Sequence, residues 1–324
     1  MDYKTIKGRR VTAIASDPSP ASIGQVWFNT AGNALKYTAV VGAWAAGGSS
    51  NTQRGDLGGN NSGGTQTAFL IFGGYYNPVG NTNYVESYNG TAWTAEPTLP
   101  TALTGCRGCG VSTAALSVDG NNISNKTTCS SWNGSSWSGE GATSQARRGA
   151  GCAGILTAGL VTLGSAPSTP QNTEEYDGSS WTAGGPNGSG VGGGTSATGT
   201  QTAALNTGGD TSALTQKYDG SSWTEVGDLN IGRASGACFG TQTAAIYAGG
   251  SGPLIPGTTT KVEEWDGTSW TETTDYSTTM YSPAGGGSTT AGLRGPGYSP
   301  APAYFTQATE EWTVAPATKT VTSS

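Results

Sequence analysis

The hexapeptide YDGSSW occupies residues 176–181 and returns unchanged at 218–223; near copies stand at 88–93 (YNGTAW), 132–137 (WNGSSW) and 265–270 (WDGTSW). The first aromatics of these copies, Tyr88, Trp132, Tyr176, Tyr218 and Trp265, are separated by 44, 44, 42 and 47 residues, and Trp312, in ATEEW, follows after another 47. Such a period constrains the fold more than composition does. Each repeat is one supersecondary unit that cannot bury its apolar surface alone and must stack on its neighbours.

The interval after Trp223 shows the inner grammar of a unit. WTEV reads as a short strand, GRASGACFG as a small-residue strand opened by Arg233, TQTAAIYAGG as an apolar strand ended by two glycines, and TKVEEWDG as a fourth strand. Segments of this length between Gly, Asn, Asp and Ser clusters predict a compact antiparallel sheet. The hexapeptide is then the hairpin joining the two outer strands, because Asp-Gly and Asn-Gly accept the positive φ of a tight turn. A period of about 45 residues with four strands fits the blade of an all-β propeller. Blades crowd near the axis, where Gly, Ala, Ser and Cys recur, and splay outside, where the wedges Tyr88, Trp93, Trp132, Trp137, Tyr176, Trp181, Tyr218, Trp223, Trp265, Trp270 and Trp312 are expected. Burying each such ring contributes about 2–3 kcal/mol.

An apolar strand ending in Gly-Gly (73–74, 208–209, 249–250), an aromatic before a turn and a Trp after it resemble the kelch repeat over residues 44–312, with Arg54, Arg148 and Arg233 before the inner strand. The spacing from Tyr to Trp is shorter than is usual in kelch units. Successive Trp residues bound six blades, the last incomplete after Trp312, so the expectation is a six-bladed kelch-like β-propeller, with seven blades as the alternative. The N-terminal strand around Trp44 is expected to supply the missing outer strand and so remove the open sheet edges. The predicted organisation is an attachment arm and hairpin over 1–40, a propeller over 41–312 and a tail over 313–324. The hairpin pairs QVWFNT with ALKYTAV around Gly32-Asn33. This segment (23–44) resembles a short module of bacteriophage tail-fibre and other virion proteins, which implies attachment to other virion proteins; it also reads simply as the closing hairpin of the ring.

Composition narrows the chemistry. Histidine is absent, which removes the commonest general base and transition-metal ligand. The formal net charge is −6 and the densest basic run is KGRR at 7–10, which argues against nucleic acid. No secretory leader and no apolar run near the ~18 residues of a membrane span is visible. CRGC at 106–109 is half of a zinc knuckle without its second half, and Cys109, Cys152 and Cys238 are expected at nearly the same small-residue place in successive repeats. Glu86, Glu174, Glu175, Glu263, Glu264, Glu310 and Glu311 lie on the strand before the turn, expected to be solvated or paired with Arg. Asp56 is the lone acid near an inner strand. The paired carboxylates of a glycosidase are not evident. The expectation is therefore no catalytic residue, no metal and no cofactor.

Binding is left. The stretches after the apolar strands diverge most: YYNPVGNTN (75–83), NNISNK (121–126), SAPSTPQN (165–172), SGPLIPGTT (251–259) and GYSPAPAY (297–304). Divergent loops on a repeated scaffold are where recognition resides. Tyr75, Tyr76, Tyr298 and Tyr304 are candidates to stack on sugar rings, with Asn77 and Asn121 as hydrogen-bonding partners. The functional expectation is a virion structural protein of tail-fibre or receptor-binding type, made in the host cytoplasm and displaying loops to a host-surface glycan. The alternatives are a capsid decoration protein and a soluble lectin-like or glycan-cleaving propeller. Homo-oligomerisation is left open.

Overall fold

The computed structural model describes residues 11–166, 172–252, 255–300 and 304–321. Parts of the predicted arm (1–10) and tail (322–324), and of the loops SAPSTPQN, SGPLIPGTT and GYSPAPAY, lie outside these residues. The described residues form strands and turns, with no helix among them. The chain divides into a larger unit, Trp44–Trp312, and a smaller one formed by residues 1–43 and 313–324.

In the larger unit five four-stranded antiparallel sheets follow one another along the chain. The second is typical: Arg107–Val111, Ala114–Val118, Cys129–Trp132 and Trp137–Glu140, paired in that order. The repeated turn joins the third and fourth strands, and its two aromatics face each other across the ladder, Trp132 opposite Trp137 and Tyr218 opposite Trp223. The strand after each Trp thus completes the sheet of its own hairpin. The predicted frame, which opened each unit with that strand, is one strand out of step, because the tight turn pairs the Trp strand with the strand before it.

The sixth sheet joins distant segments. Gly285–Gly287 and Ala291–Arg294 pair in sequence, then the start of Glu310–Thr320, then the end of Ala34–Ala46, which carries Trp44. The rings of Trp44 and Trp312 lie 5.4 Å apart, within the 4.9–5.4 Å of the paired aromatics in the other sheets. In the smaller unit Val26–Asn29 pairs antiparallel with the start of Ala34–Ala46, and Thr12–Ile14 pairs parallel with Val26–Asn29. Asp17 organises this unit by accepting from Trp27 Nε1 (3.0 Å), Asn29 Nδ2 (2.6 Å) and Lys36 Nζ (2.7 Å).

Successive sheets of the larger unit are joined by a recurring set of bonds. Gln66, Gln201 and Gln242, from the TQTA turns, each donate to two backbone carbonyls of the preceding sheet. Where the first aromatic is Tyr, its hydroxyl donates to a glutamate of the preceding sheet: Tyr88 to Glu311, Tyr176 to Glu140 and Tyr218 to Glu175. Where it is Trp, the indole N–H of Trp132, Trp265 or Trp312 donates to a carbonyl within its own sheet. Gln66 and Tyr88 make their bonds to the sixth sheet, so the succession closes on itself.

Four sheets contain a buried Arg–Glu pair: Arg54–Glu86 (2.6 Å), Arg147–Glu174, Arg233–Glu263 (2.7 Å) and Arg294–Glu310 (2.7 Å). The expectation for Arg148 is corrected here. Arg147 turns inward, four residues before its inner strand like Arg54 and Arg233, while Arg148 is exposed. In the sixth sheet Met280 holds the Arg place and Arg294 reaches the glutamate from the second strand. In the second and fourth sheets both charges are missing, with Leu103 and Ser130 in one and Gly192 and Gln216 in the other. Joint loss follows from the cost of burying one charge without its partner.

The cysteine expectation also changes. Cys152 and Cys238 share a place, opposite Val161 and Tyr247, but Cys109 stands one residue further along, opposite Leu116. One step along a strand turns a side chain to the other face. All five cysteines are free and buried, so CRGC contributes two separate core residues.

Candidate functional site

Six residues just before the inner strands, Asp56, Gly105, Gly149, Gly194 and Ser235 by two positions and Ser282 by three, all have φ between 51° and 76°. Their backbones form a relay. Gly105 N donates to Asp56 O, Gly149 N to Gly105 O, Gly194 N to Gly149 O, Ser235 N to Gly194 O and Ser282 N to Ser235 O, at 2.7–2.8 Å. The left-handed conformation turns each N–H and C=O along the circumference rather than along the strand. Non-Gly residues adopt it with difficulty, and Asp and Ser tolerate it because they are short and polar. This collar was not foreseen from the sequence; the alternation of Gly with Ser and Asp at one repeat position was its signal.

Asp56, Gly149, Gly194, Ser235 and Ser282 of the collar help to line a polar well of about 240 Å³, with Arg107, Arg148, Ser165, Asp210, Tyr281 and Tyr298 among its other walls. Asp56 accepts from Thr104 Oγ1 (3.2 Å) and faces Arg107 Nη1 at 3.7 Å. Arg107 also donates to Cys106 O (2.9 Å), and Asp210 Oδ2 accepts from Gly192 N (2.5 Å).

Beside the well is a cleft of about 440 Å³ lined by Gln53, Tyr75, Asn77, Tyr281, Tyr298, Ser299, Tyr304 and Phe305. Tyr281 and Tyr298 stack at 4.9 Å with 16° between their planes, and their backbones bond reciprocally. Tyr298 lies flat over Gly55, where any Cβ would stand 2.6 Å from its ring, so only glycine fits there. Phe305 contacts Tyr298 (5.1 Å), Tyr75 (6.2 Å) and Tyr76 (6.1 Å). Burial, with Asp56 nearby, raises the Tyr281 and Tyr298 hydroxyls above their usual range and keeps them as hydrogen-bond donors.

Of the sequence candidates, Tyr75, Asn77, Tyr298 and Tyr304 therefore line one cleft, and Tyr76 flanks it. Asn121 does not join them; its side chain donates to Asn125 Oδ1 within a local hairpin. Gln53, Tyr281 and Phe305 were missed. Three of the divergent stretches expected as loops are short hairpins instead: Tyr75–Tyr76 with Gly80–Asn81, Asn121–Asn122 with Ser124–Asn125, and Ser251–Gly252 with Ile255–Thr258.

No family model and no curated protein matches the chain. Solved structures do. The structure of YjhT aligns over 83% of this chain and 99% of its own, with a TM-score of 0.66 and 12% identity. The fold is all-β and propeller-like. At that identity the likeness speaks to the fold alone. Placed on it, the successive four-stranded sheets of the larger unit are the propeller elements, with the collar and well at the starts of their innermost strands.

Proposed function

We propose that this chain is a six-bladed, kelch-like propeller serving as a non-enzymatic structural protein of a bacteriophage virion, of tail-fibre or receptor-binding type, and that its aromatic cleft holds a host-surface glycan. The gathering of Tyr75, Tyr298, Tyr304 and Phe305 with Asn77, Gln53 and Ser299 carries this reading. No side chain of that lining is charged. Aromatic faces flanked by amide and hydroxyl groups suit a neutral sugar, whose C–H face stacks while its hydroxyls bond sideways. The segment 23–44, with its resemblance to a virion module, supports attachment through the N-terminal arm to other tail or capsid proteins.

The direct test is an array of surface oligosaccharides probed with the full chain and with Tyr75→Ala and Tyr304→Ala. The expected outcome is binding that both variants weaken. Turnover of any bound polysaccharide overturns the non-enzymatic part. Binding to no cell and no glycan favours the decoration protein. Attachment is tested by deleting 1–40: loss of the protein from particles supports the arm as anchor, and retention overturns it.

A further inference from the structure

Resting on the glycan reading, we infer that the well beside the cleft takes the terminal, non-reducing ring of the glycan, so that the site reads chain ends and not chain interiors. Tyr281 and Tyr298 line both spaces, so the two adjoin across this stacked pair of rings. Their linings differ in kind. The cleft offers ring faces, which suit a sugar lying flat. The well offers Asp56, Arg148, Ser165, Asp210, Ser235 and Ser282 on its several sides, which suits a ring inserted edge-on with hydroxyls around its whole rim. Only a terminal ring has that rim free except at one linkage.

The space agrees. About 240 Å³ is roughly eight water volumes, room for one hydrated ring. The collar bars passage of a chain. Five hydrogen bonds link the six collar backbones in series, and backbones so joined stand about 4.8 Å apart, so the opening they rim is only ~10 Å between backbone centres, too narrow once atomic radii are subtracted for a glycan to thread. A ligand must enter end first from the cleft. Surface glycans are anchored through their reducing ends, which leaves the non-reducing end to enter. Arg148 is the group most available to it. Its exposed guanidinium has no ion pair among the described residues, whereas Arg107, Asp56 and Asp210 already hold protein partners.

The test uses linear oligosaccharides that bind on the array, each compared with the same compound carrying a 4,6-O-benzylidene cap on its non-reducing terminal ring. The expected result is at least tenfold weaker binding of the capped form by the unmodified protein, and a similar loss for the uncapped form with Arg148→Ala, whose surface position leaves folding intact. Equal binding of capped and uncapped forms, with Tyr304→Ala still disruptive, overturns end recognition but leaves the glycan reading standing. If no oligosaccharide shows binding that depends on Tyr75 or Tyr304, the glycan reading fails and end recognition fails with it.

Discussion

Arg233 Nη2 and Glu263 Oε1 lie 2.7 Å apart with both side chains buried, and the second carboxylate oxygen of Glu263 accepts from Asn230 N at 2.8 Å. One carboxylate thus ties the strand before the repeated turn to the segment that enters the inner strand. Removing a single partner leaves a buried charge uncompensated. Arg233→Ala or Glu263→Ala is expected to cost about 3–5 kcal/mol, and Arg233→Met with Glu263→Leu distinctly less. Denaturant titration of the three variants checks this; a double variant as unstable as the singles contradicts it.

The second Trp of three hairpins donates its indole N–H to a threonine of the preceding sheet: Trp93 to Thr309 (2.9 Å), Trp223 to Thr173 (2.8 Å) and Trp270 to Thr215 (3.0 Å). Val85 and Cys129 hold the same place before Trp137 and Trp181: among the described residues the Trp137 indole N–H meets no acceptor, and that of Trp181 meets only the Cys129 sulfur. Val85→Thr is expected to stabilise by roughly 0.5–1.5 kcal/mol and Thr215→Val to destabilise by about 1–3 kcal/mol. Opposite shifts in thermal midpoint are the readout.

Gly227 lies four residues after Trp223, where its missing Cβ would stand 2.5 Å from the Thr268 carbonyl in the next repeated turn. Gly48, Gly141 and Gly185 pack on the first, third and fourth turns in the same way. A backbone carbonyl held in a tight turn cannot retreat as a flexible side chain would. Gly227→Ala is expected to cost about 1–3 kcal/mol through overpacking between sheets. Faster amide exchange across 265–270 would place the damage at that contact.

Asp119 is wholly buried beside Arg147, with Nε to Oδ2 at 3.3 Å, and Arg147 also serves Glu174. Burial pushes the Asp119 carboxyl up to about 8, against the lowering effect of Arg147 and Thr143. The folded state therefore holds this proton more tightly than the unfolded chain. Its contribution is full below the ordinary Asp value of ~4 and is lost as pH rises towards the folded value. Denaturation midpoints are expected to fall between pH 5 and 8, and Asp119→Asn to flatten that slope. An unchanged slope in the variant assigns the dependence elsewhere.

Much of the fold was legible because its strongest signals are local. Asn89, Asn133, Asp177, Asp219 and Asp266 each accept two backbone N–H groups within their own turns, so the sequence of five or six residues is enough to specify the hairpin. The aromatic pairs follow from those turns. The site was legible only in part. Tyr75 and Tyr298 stood out as loop aromatics, but that they line one cleft depends on the first and last sheets meeting, which no local pattern encodes.

The sequence by itself determined the repeating unit, its turn chemistry and the aromatic pair that faces across each turn, since each depends on short-range sterics within one unit. Only the tertiary structure decided register and neighbourhood. It turned Arg147 inward and Arg148 out, set Cys109 on the opposite face from Cys152, and aligned Asp56, Gly105, Gly149, Gly194, Ser235 and Ser282 into one collar. The physical reason is the period of two along a strand. A shift of one residue exchanges buried and exposed faces, and only pairing with other strands fixes that shift.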